Sequence, residues 1–452
     1  MRKLTTDSSQ DPIVKAVLLV LQFRTTKEPF LPNLRAFECK SATEEFIPFI
    51  PSLLSHKTTL IDIEFAEDSS MLVVASMVAR LPILCPDVGR IHLNGLPEHP
   101  LITEAVSDML LGCNRDALWR FYVDSPLTEE AHNVLFQLPK LSILQVVVQG
   151  HTLLPLVALP NLFAIRVEFD DHLDWLQGFR GAMLRKLEQF SLSSESEKIG
   201  DVLGEFKNVA LTTSAPATLR GFYFNTSRSW NPSYRSLLPF TQLVELVIEF
   251  SCEDGCSSRV DDDIIIDLVQ TMPKLRVLQL GRTPCETRGG ITIKGLIALA
   301  GNCHLLSKLR IHFQTDSLIA AARHRMPAPP DDKPVVLWQD CALTDLEVGE
   351  IPIPEGEEAV LVTIALLQIF PDLRNIEFTE ENWEDVLVFI KAAQRLGSFI
   401  QDTSKIYFPY IRSYLVTFCQ TTNLVSGLHR NNVFRRFWMA LTLLRVTPSN
   451  LL

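Results

Sequence analysis

The stretch Leu138-Pro139-Lys140-Leu141-Ser142-Ile143-Leu144-Gln145-Val146 carries the pattern that decides the fold. Leu141 is followed three and five places later by Leu144 and Val146, with Gln145 between them. The run Leu144-Gln145-Val146-Val147-Val148 is rich in β-branched residues, as a short strand requires. Pro139 stops any preceding helix and opens the turn into that strand. Leu159-Pro160-Asn161-Leu162 then begins the same sequence of events again.

Working outward, the spacing starts at Leu34, Leu60, Val88, Leu118, Leu141, Leu162, Leu187, Leu219, Leu243, Leu275, Leu306, Leu343 and Leu373, 13 anchors spaced 21 to 37 residues apart. With 47% of residues apolar, chance alone supplies roughly 45 such starts, so the spacing needs support. The residue between the last two apolar positions supplies some. It is Glu38, Glu64, His92, Tyr122, Gln145, Arg166, Ser191, Tyr223, Val247, Gln279, Arg310, Glu347 or Glu377, and only Val247 is aliphatic. That is the alternation of a strand with one buried face. The turn also recurs, as Leu31-Pro32-Asn33-Leu34, Met272-Pro273-Lys274-Leu275 and Phe370-Pro371-Asp372-Leu373.

Amphipathic segments fill many of the intervals. Residues 44–57 place Phe46, Ile47, Ile50, Leu53 and Leu54 on one helical stripe. Residues 263–272 follow the acidic run Asp261-Asp262-Asp263, which suits a helix N-terminus, and residues 358–370 and 383–396 read likewise. Strand, turn and helix in repetition predict an α/β leucine-rich-repeat solenoid of 13 irregular repeats. No single unit can shield its apolar flank, so units stack. Right-handed connections then set an inner parallel sheet against outer helices and curve the stack. The alternative is an all-helical solenoid, which strand-like runs such as Leu246-Val247-Ile248-Glu249-Phe250 oppose. The predicted organisation is an N-terminal helical cap over 1–29, the solenoid over 30–400 and a tail over 401–452.

Composition narrows the class. Leucine supplies 67 of the 452 residues, well above ordinary usage. A chain 47% apolar and 21% charged is neither intrinsically disordered nor collagen-like. With 42 basic against 53 acidic residues the net charge is −11, which disfavours nucleic acid and anionic membranes as partners. Residues 13–23 are too few to cross a bilayer, and Arg435, Arg436 and Arg445 break the apolar stretch 434–446. The nine cysteines, scattered from Cys39 to Cys419, make no disulfide framework and point to the cytoplasm or nucleus.

The Pro-Asn-Leu-Arg anchors, the irregular spacing and the acidic composition resemble the F-box-associated leucine-rich-repeat proteins abundant in mushroom-forming fungi. Leu299-Ala300-Gly301-Asn302-Cys303-His304-Leu305-Leu306-Ser307-Lys308-Leu309 is similar to the cysteine-containing subtype of that repeat, in which a buried cysteine sits three residues before the anchor. The resemblance covers residues 30–400. The asparagine ladder of other subtypes, eight residues after each anchor, has no counterpart, for those positions include Ala42, Leu96, Pro126, Asp170 and Glu195. Members of the family typically begin with an F-box, whose Leu-Pro-x-Glu-like turn opens a helical segment that docks on a ubiquitin-ligase adaptor. Residues 1–30 hold no such turn. The resemblance thus implies a ubiquitin-ligase substrate receptor with its F-box missing, and a cullin-ligase adaptor as partner only if an F-box lies upstream of Met1. A free-standing interaction protein unrelated to ubiquitin is the alternative.

The sequence holds no phosphate loop, dinucleotide fingerprint, zincin helix or nucleophile elbow. Cys252, Glu253, Asp254 and Cys256 suggest a metal clip, but no second Cys/His pair completes a zinc set, so they read as a reduced loop. Cys303 beside His304 has the residue types of nucleophile and base, yet the repeat places Cys303 in the core. Asn225-Thr226-Ser227 is a glycosylation sequon abutting a predicted strand, in a chain with no signal peptide. The expectation is a protein without catalytic activity, metal or cofactor.

What remains is a surface. His92, Tyr122, Gln145, Arg166, Tyr223, Gln279, Arg310, Glu347 and Glu377 should share the concave face and meet a protein partner there. Aromatic residues and arginines are the types that dominate interfaces, although each of the nine also fits an ordinary solvated strand position. A monomer is predicted. Met326-Pro327-Ala328-Pro329-Pro330-Asp331-Asp332-Lys333-Pro334, in the longest interval between anchors, reads as an excursion from the solenoid. Residues 403–452 contain no acidic residue and six basic ones, leaving −17 on residues 1–402. That tail reads as a cap on the last repeat, a disordered extension, or translated intron or shifted-frame sequence.

Overall fold

The structure, a computed structural model, describes residues 3–7, 29–150, 159–170, 172–182, 184–196, 201–228, 232–250, 260–281, 290–323, 341–349, 351, 357–378 and 383–402. It comprises two units, Met1–Ser258 and Arg259–Leu452.

In the N-terminal unit ten parallel strands lie side by side in chain order. They are β1 (Lys3–Asp7), β2 (Ala36–Ala42), β3 (Leu60–Phe65), β4 (Arg90–Asn94), β5 (Arg120–Pro126), β6 (Ile143–Val148), β7 (Ala164–Phe169), β8 (Gln189–Ser194), β9 (Gly221–Thr226) and β10 (Glu245–Phe250). The C-terminal unit holds four, again parallel and in order: β11 (Val277–Leu280), β12 (Lys308–Arg310), β13 (Asp345–Gly349) and β14 (Asn375–Phe378). The fold is the α/β leucine-rich-repeat solenoid.

The anchors explain why the chain turns where it does. The N–H of Leu34 donates to the carbonyl of Leu31 at 3.0 Å, Leu162 to Leu159 at 3.2 Å, Leu275 to Met272 at 3.2 Å and Leu373 to Phe370 at 3.2 Å. Proline suits the second position of such a turn, where its φ is already set and no N–H is needed. Most strands then bury alternate side chains, such as Leu144 and Val146 on β6 or Phe222 and Phe224 on β9. On that side of the N-terminal unit an aromatic stack of Phe179, Phe190, Phe206, Phe222 and Phe240 runs with ring centroids 4.6 to 6.4 Å apart. In the C-terminal unit the expected helices form as Asp262–Thr271, Glu357–Ile369 and Trp383–Asp402. The first is capped by Asp261, whose Oδ1 accepts from the Ile264 N–H at 2.9 Å.

Three expectations need correction. Residues 44–57 do not form one helix. They give a single 3-10 turn, Ile47–Phe49, and a four-residue helix, Ile50–Leu53, because Pro48 and Pro51 lack the N–H groups a longer helix would use. The stripe of Phe46, Ile47, Ile50, Leu53 and Leu54 is nevertheless buried. Leu60 is not an anchor, since it pairs in register with Ala36. The place equivalent to Leu34 belongs to Thr58, fully buried, whose hydroxyl donates to the Leu34 carbonyl at 3.1 Å. On β3 the residue between the buried pair is therefore Asp62 rather than Glu64. Finally, β1 extends the sheet ahead of the first anchor, in a run with too few apolar residues to match the pattern. The stretch 13–23, the Cys252–Cys256 loop, the proline-rich excursion and the tail from Thr403 lie outside the described residues.

Candidate functional site

The helical side of each sheet takes up the paired apolar residues, and the residue between them lies on the opposite side. Strand register converts those residues into rows. In the N-terminal unit Asp62, His92, Tyr122, Gln145, Arg166, Ser191, Tyr223 and Val247 are successive partners across β3 to β10. In the C-terminal unit Gln279, Arg310, Glu347 and Glu377 are partners across β11 to β14. All nine residues singled out in the sequence thus fall on such a row, five in one unit and four in the other. They differ in access: Arg166 and Glu377 are exposed, whereas Gln145 and Gln279 are buried.

Chemistry concentrates on β3 to β5. Asp62 pairs with Arg90 Nη2 at 2.6 Å, and its second oxygen lies 2.8 Å from His92 Nδ1. The His92 ring meets Tyr122 edge to face, with centroids 3.9 Å apart. Arg120 lies beside Arg90 on the next strand, and its side chain makes no hydrogen bond or ion pair among the described residues. Burial and the charge of Arg90 both work against its guanidinium, with Asp62 as a counterweight. Arg90 Nε, Arg120 Nε and His92 Nε2 are each screened from water without a hydrogen-bond partner. Ahead of the strands, Trp119 and Phe163 are exposed at 42% and 39%.

The C-terminal ends of the same strands are acidic. Asp124 accepts from the N–H groups of Gly95 (2.5 Å) and Leu96 (3.3 Å), and burial raises its pKa. Gly95 is required in that turn, because its φ is +70° and an added Cβ would sit 2.4 Å from the Phe65 carbonyl oxygen. Glu168 on β7 is also raised, first by burial and then by the carboxylates of Glu195, Asp124 and Glu98, with Arg166 opposing them. Asp170, eight residues after Leu162, accepts from the N–H groups of Gly150 at 2.5 Å and His172 at 3.0 Å. A carboxylate there ties one repeat to the next, at a position where other subtypes use asparagine.

The C-terminal unit's row is internally paired. Arg310 Nη2 bonds Glu347 on the neighbouring strand, and Lys308 Nζ lies 3.9 Å from the same carboxylate. Asp345 accepts from Asn375 Nδ2 at 2.8 Å. Cys303 is buried as the resemblance implied. Its thiol is pushed up to about 12 by burial, and Sγ lies 3.8 Å from the Met272 carbonyl. Cys39, Cys85 and Cys113 are likewise raised to about 12.

Sequence reasoning missed Asp62, Arg90, Arg120, Trp119, Asp124 and Glu168. Arg90 and Arg120 sit two residues before His92 and Tyr122, so the two-residue period of a strand would have placed them on the same face. Among the described residues no group of three or more His, Cys, Asp or Glu side chains is set to hold a metal. No described helix is long and apolar enough to cross a membrane.

No family model and no curated protein matches the sequence. Similar solved structures include an internalin from Listeria monocytogenes, 13% identical, covering 84% of this chain and 88% of that one, with a TM-score of 0.43. The yeast Rad7–Elc1 complex matches at 16% identity over 74% and 69% of the two chains, TM-score 0.34. A leucine-rich-repeat protein from Leptospira interrogans matches at 11% identity over 83% and 88%, TM-score 0.33.

Proposed function

We propose that this chain is a non-enzymatic protein-recognition scaffold whose strand faces receive another protein, and that it forms the substrate-binding part of an F-box-type ubiquitin-ligase receptor. The observation that carries the scaffold reading is the register itself. Side chains from repeats far apart in sequence form continuous rows on the sheet side away from the buried apolar pairs. Repeat proteins offer extended surface of this kind without a deep pocket. The cysteines support the absence of nucleophilic chemistry, since a thiol with a pKa of about 12 supplies almost no thiolate at neutral pH. The five described cysteines are free, which fits a reducing cytoplasm or nucleus.

The ligase reading rests on the resemblance to the fungal F-box-associated repeat proteins, and the buried Cys303 before Leu306 supports it. Fusing the chain to any F-box encoded upstream of Met1 and purifying it from its host tests this reading. Cullin-ligase components should co-purify; their absence removes the ligase role and leaves the scaffold. For the scaffold, combined His92→Ala, Tyr122→Ala and Arg166→Ala substitution should weaken the co-purifying substrate at least tenfold with an unchanged melting curve. Undiminished binding would count against the row as the docking face.

A further inference from the structure

The N-terminal unit's strand face is polarised along its strands. Arg90 and Arg120 open β4 and β5, while Asp124 on β5 and Glu168 on β7 stand near the opposite ends. Asp124 lies four positions beyond Arg120, which at strand rise is about 13 Å. At the basic edge Asp62 pairs with Arg90 and His92, and the Arg120 side chain makes no hydrogen bond or ion pair among the described residues. The donors Arg90 Nε and Arg120 Nε lack acceptors. At the acidic edge Glu168 feels three further carboxylates against one arginine.

We infer that this face receives an extended protein segment carrying an acidic side chain for Arg90 and Arg120 and, separated by three residues, a basic side chain for Glu168 and Asp124. The inference deepens the recognition reading above and rests on it. Complementarity argues for this occupant. An acidic side chain would meet the open arginine donors, and a basic one would offset the carboxylates around Glu168. A polyanion such as nucleic acid would satisfy the arginines but run into the carboxylates about 13 Å away.

Phage-displayed random 12-residue peptides selected on the full chain provide the test, with affinities of enriched peptides then measured by fluorescence anisotropy. Enriched sequences should carry the acidic and basic residues at the stated spacing. Arg120→Glu and Glu168→Lys should each weaken them at least tenfold, and a peptide with its two charges exchanged should bind the double variant. Arg80→Glu, on the exposed side of helix Met71–Leu84, should change nothing. Melting curves report folding, with Arg120→Gln as the milder substitute if Arg120→Glu does not fold. Peptides that lose binding on His92→Ala/Tyr122→Ala but ignore the charge reversals overturn the polarity and leave the recognition face standing. Peptides indifferent to every substitution on the face, or no enrichment at all, overturn both. Displacement of the selected peptides by a 20-nucleotide single-stranded DNA overturns the inference in favour of a polyanion site.

Discussion

Arg166 on β7 and Arg310 on β12 occupy the same place in their repeats, each between two buried apolar residues. Their surroundings differ because register sets different neighbours opposite them. Arg310 faces Glu347 and bonds it, with Lys308 near the same carboxylate. Arg166 faces Gln145 and Ser191, neither of which carries charge. Arg310 thus has its charge met within its own unit, whereas no charged residue stands opposite Arg166 on the neighbouring strands. The difference teaches that in a ladder of parallel strands, residue type alone does not mark a docking site. The neighbour one repeat away decides whether a charge is available.

The contrast extends into the interior, where the largest effect is expected. His132 in helix Glu129–Leu135 of the N-terminal unit is buried, and burial lowers its pKa to about 4 against a smaller opposing effect of the Thr128 backbone. His312 in the C-terminal unit is only partly buried and is lowered by the same cause. An unfolded chain titrates histidine near 6.5, so below that pH it takes up a proton that folded His132 refuses until about 4. Stability from this group is therefore complete above 6.5 and is lost as pH falls through the window, by about 3 kcal/mol in all. Urea unfolding of His132→Leu should be less pH-dependent than wild type between pH 6.5 and 4, and His312→Leu should flatten the dependence less. Equal slopes in His132→Leu and wild type would show that the imidazole finds a partner or water.

Glu347→Gln is the next step down. It leaves Arg310 and Lys308 facing a neutral amide in a site whose Arg310 and Glu347 side chains are about one-fifth exposed. A pair between the buried and surface limits should contribute about 1–2 kcal/mol. Chemical denaturation reports it, and the loss should shrink in high salt. No loss would mean that the Arg310–Glu347 contact adds nothing to the stability of the C-terminal unit.

What the sequence discloses follows from how local each cause is. The proline turn before the anchor and the paired apolar residues are short-range, so the strands at Leu141, Leu162 and Leu275 are readable directly. Thr58 is not, because a hydroxyl can occupy an anchor position only by borrowing the Leu34 carbonyl, 24 residues away. The stripe in residues 44–57 indicates burial correctly, while Pro48 and Pro51 decide its backbone. The rows themselves are legible from period two. Their pairing is not, for Asp62 finds Arg90 across 28 residues and Arg310 finds Glu347 across 37, through intervals of irregular length.

Arg120→Gln carries the smallest expected stability change and gives the sharpest statement of the contrast. The Arg120 side chain has no hydrogen bond or ion pair among the described residues and sits beside another guanidinium. Removing its charge strands no partner and relieves Arg90, so stability should stay within about 0.5 kcal/mol of wild type, with any shift favourable. Arg310→Gln, by comparison, leaves the partly buried Glu347 with only Lys308, 3.9 Å away, and should lose about 1 kcal/mol. Both variants trade the same side chains at strand positions of similar access, and paired urea titrations cancel much that is common to them. If Arg120→Gln proves as destabilising as Arg310→Gln, Arg120 is already engaged within the fold, and its charge is not free to receive a carboxylate from another protein.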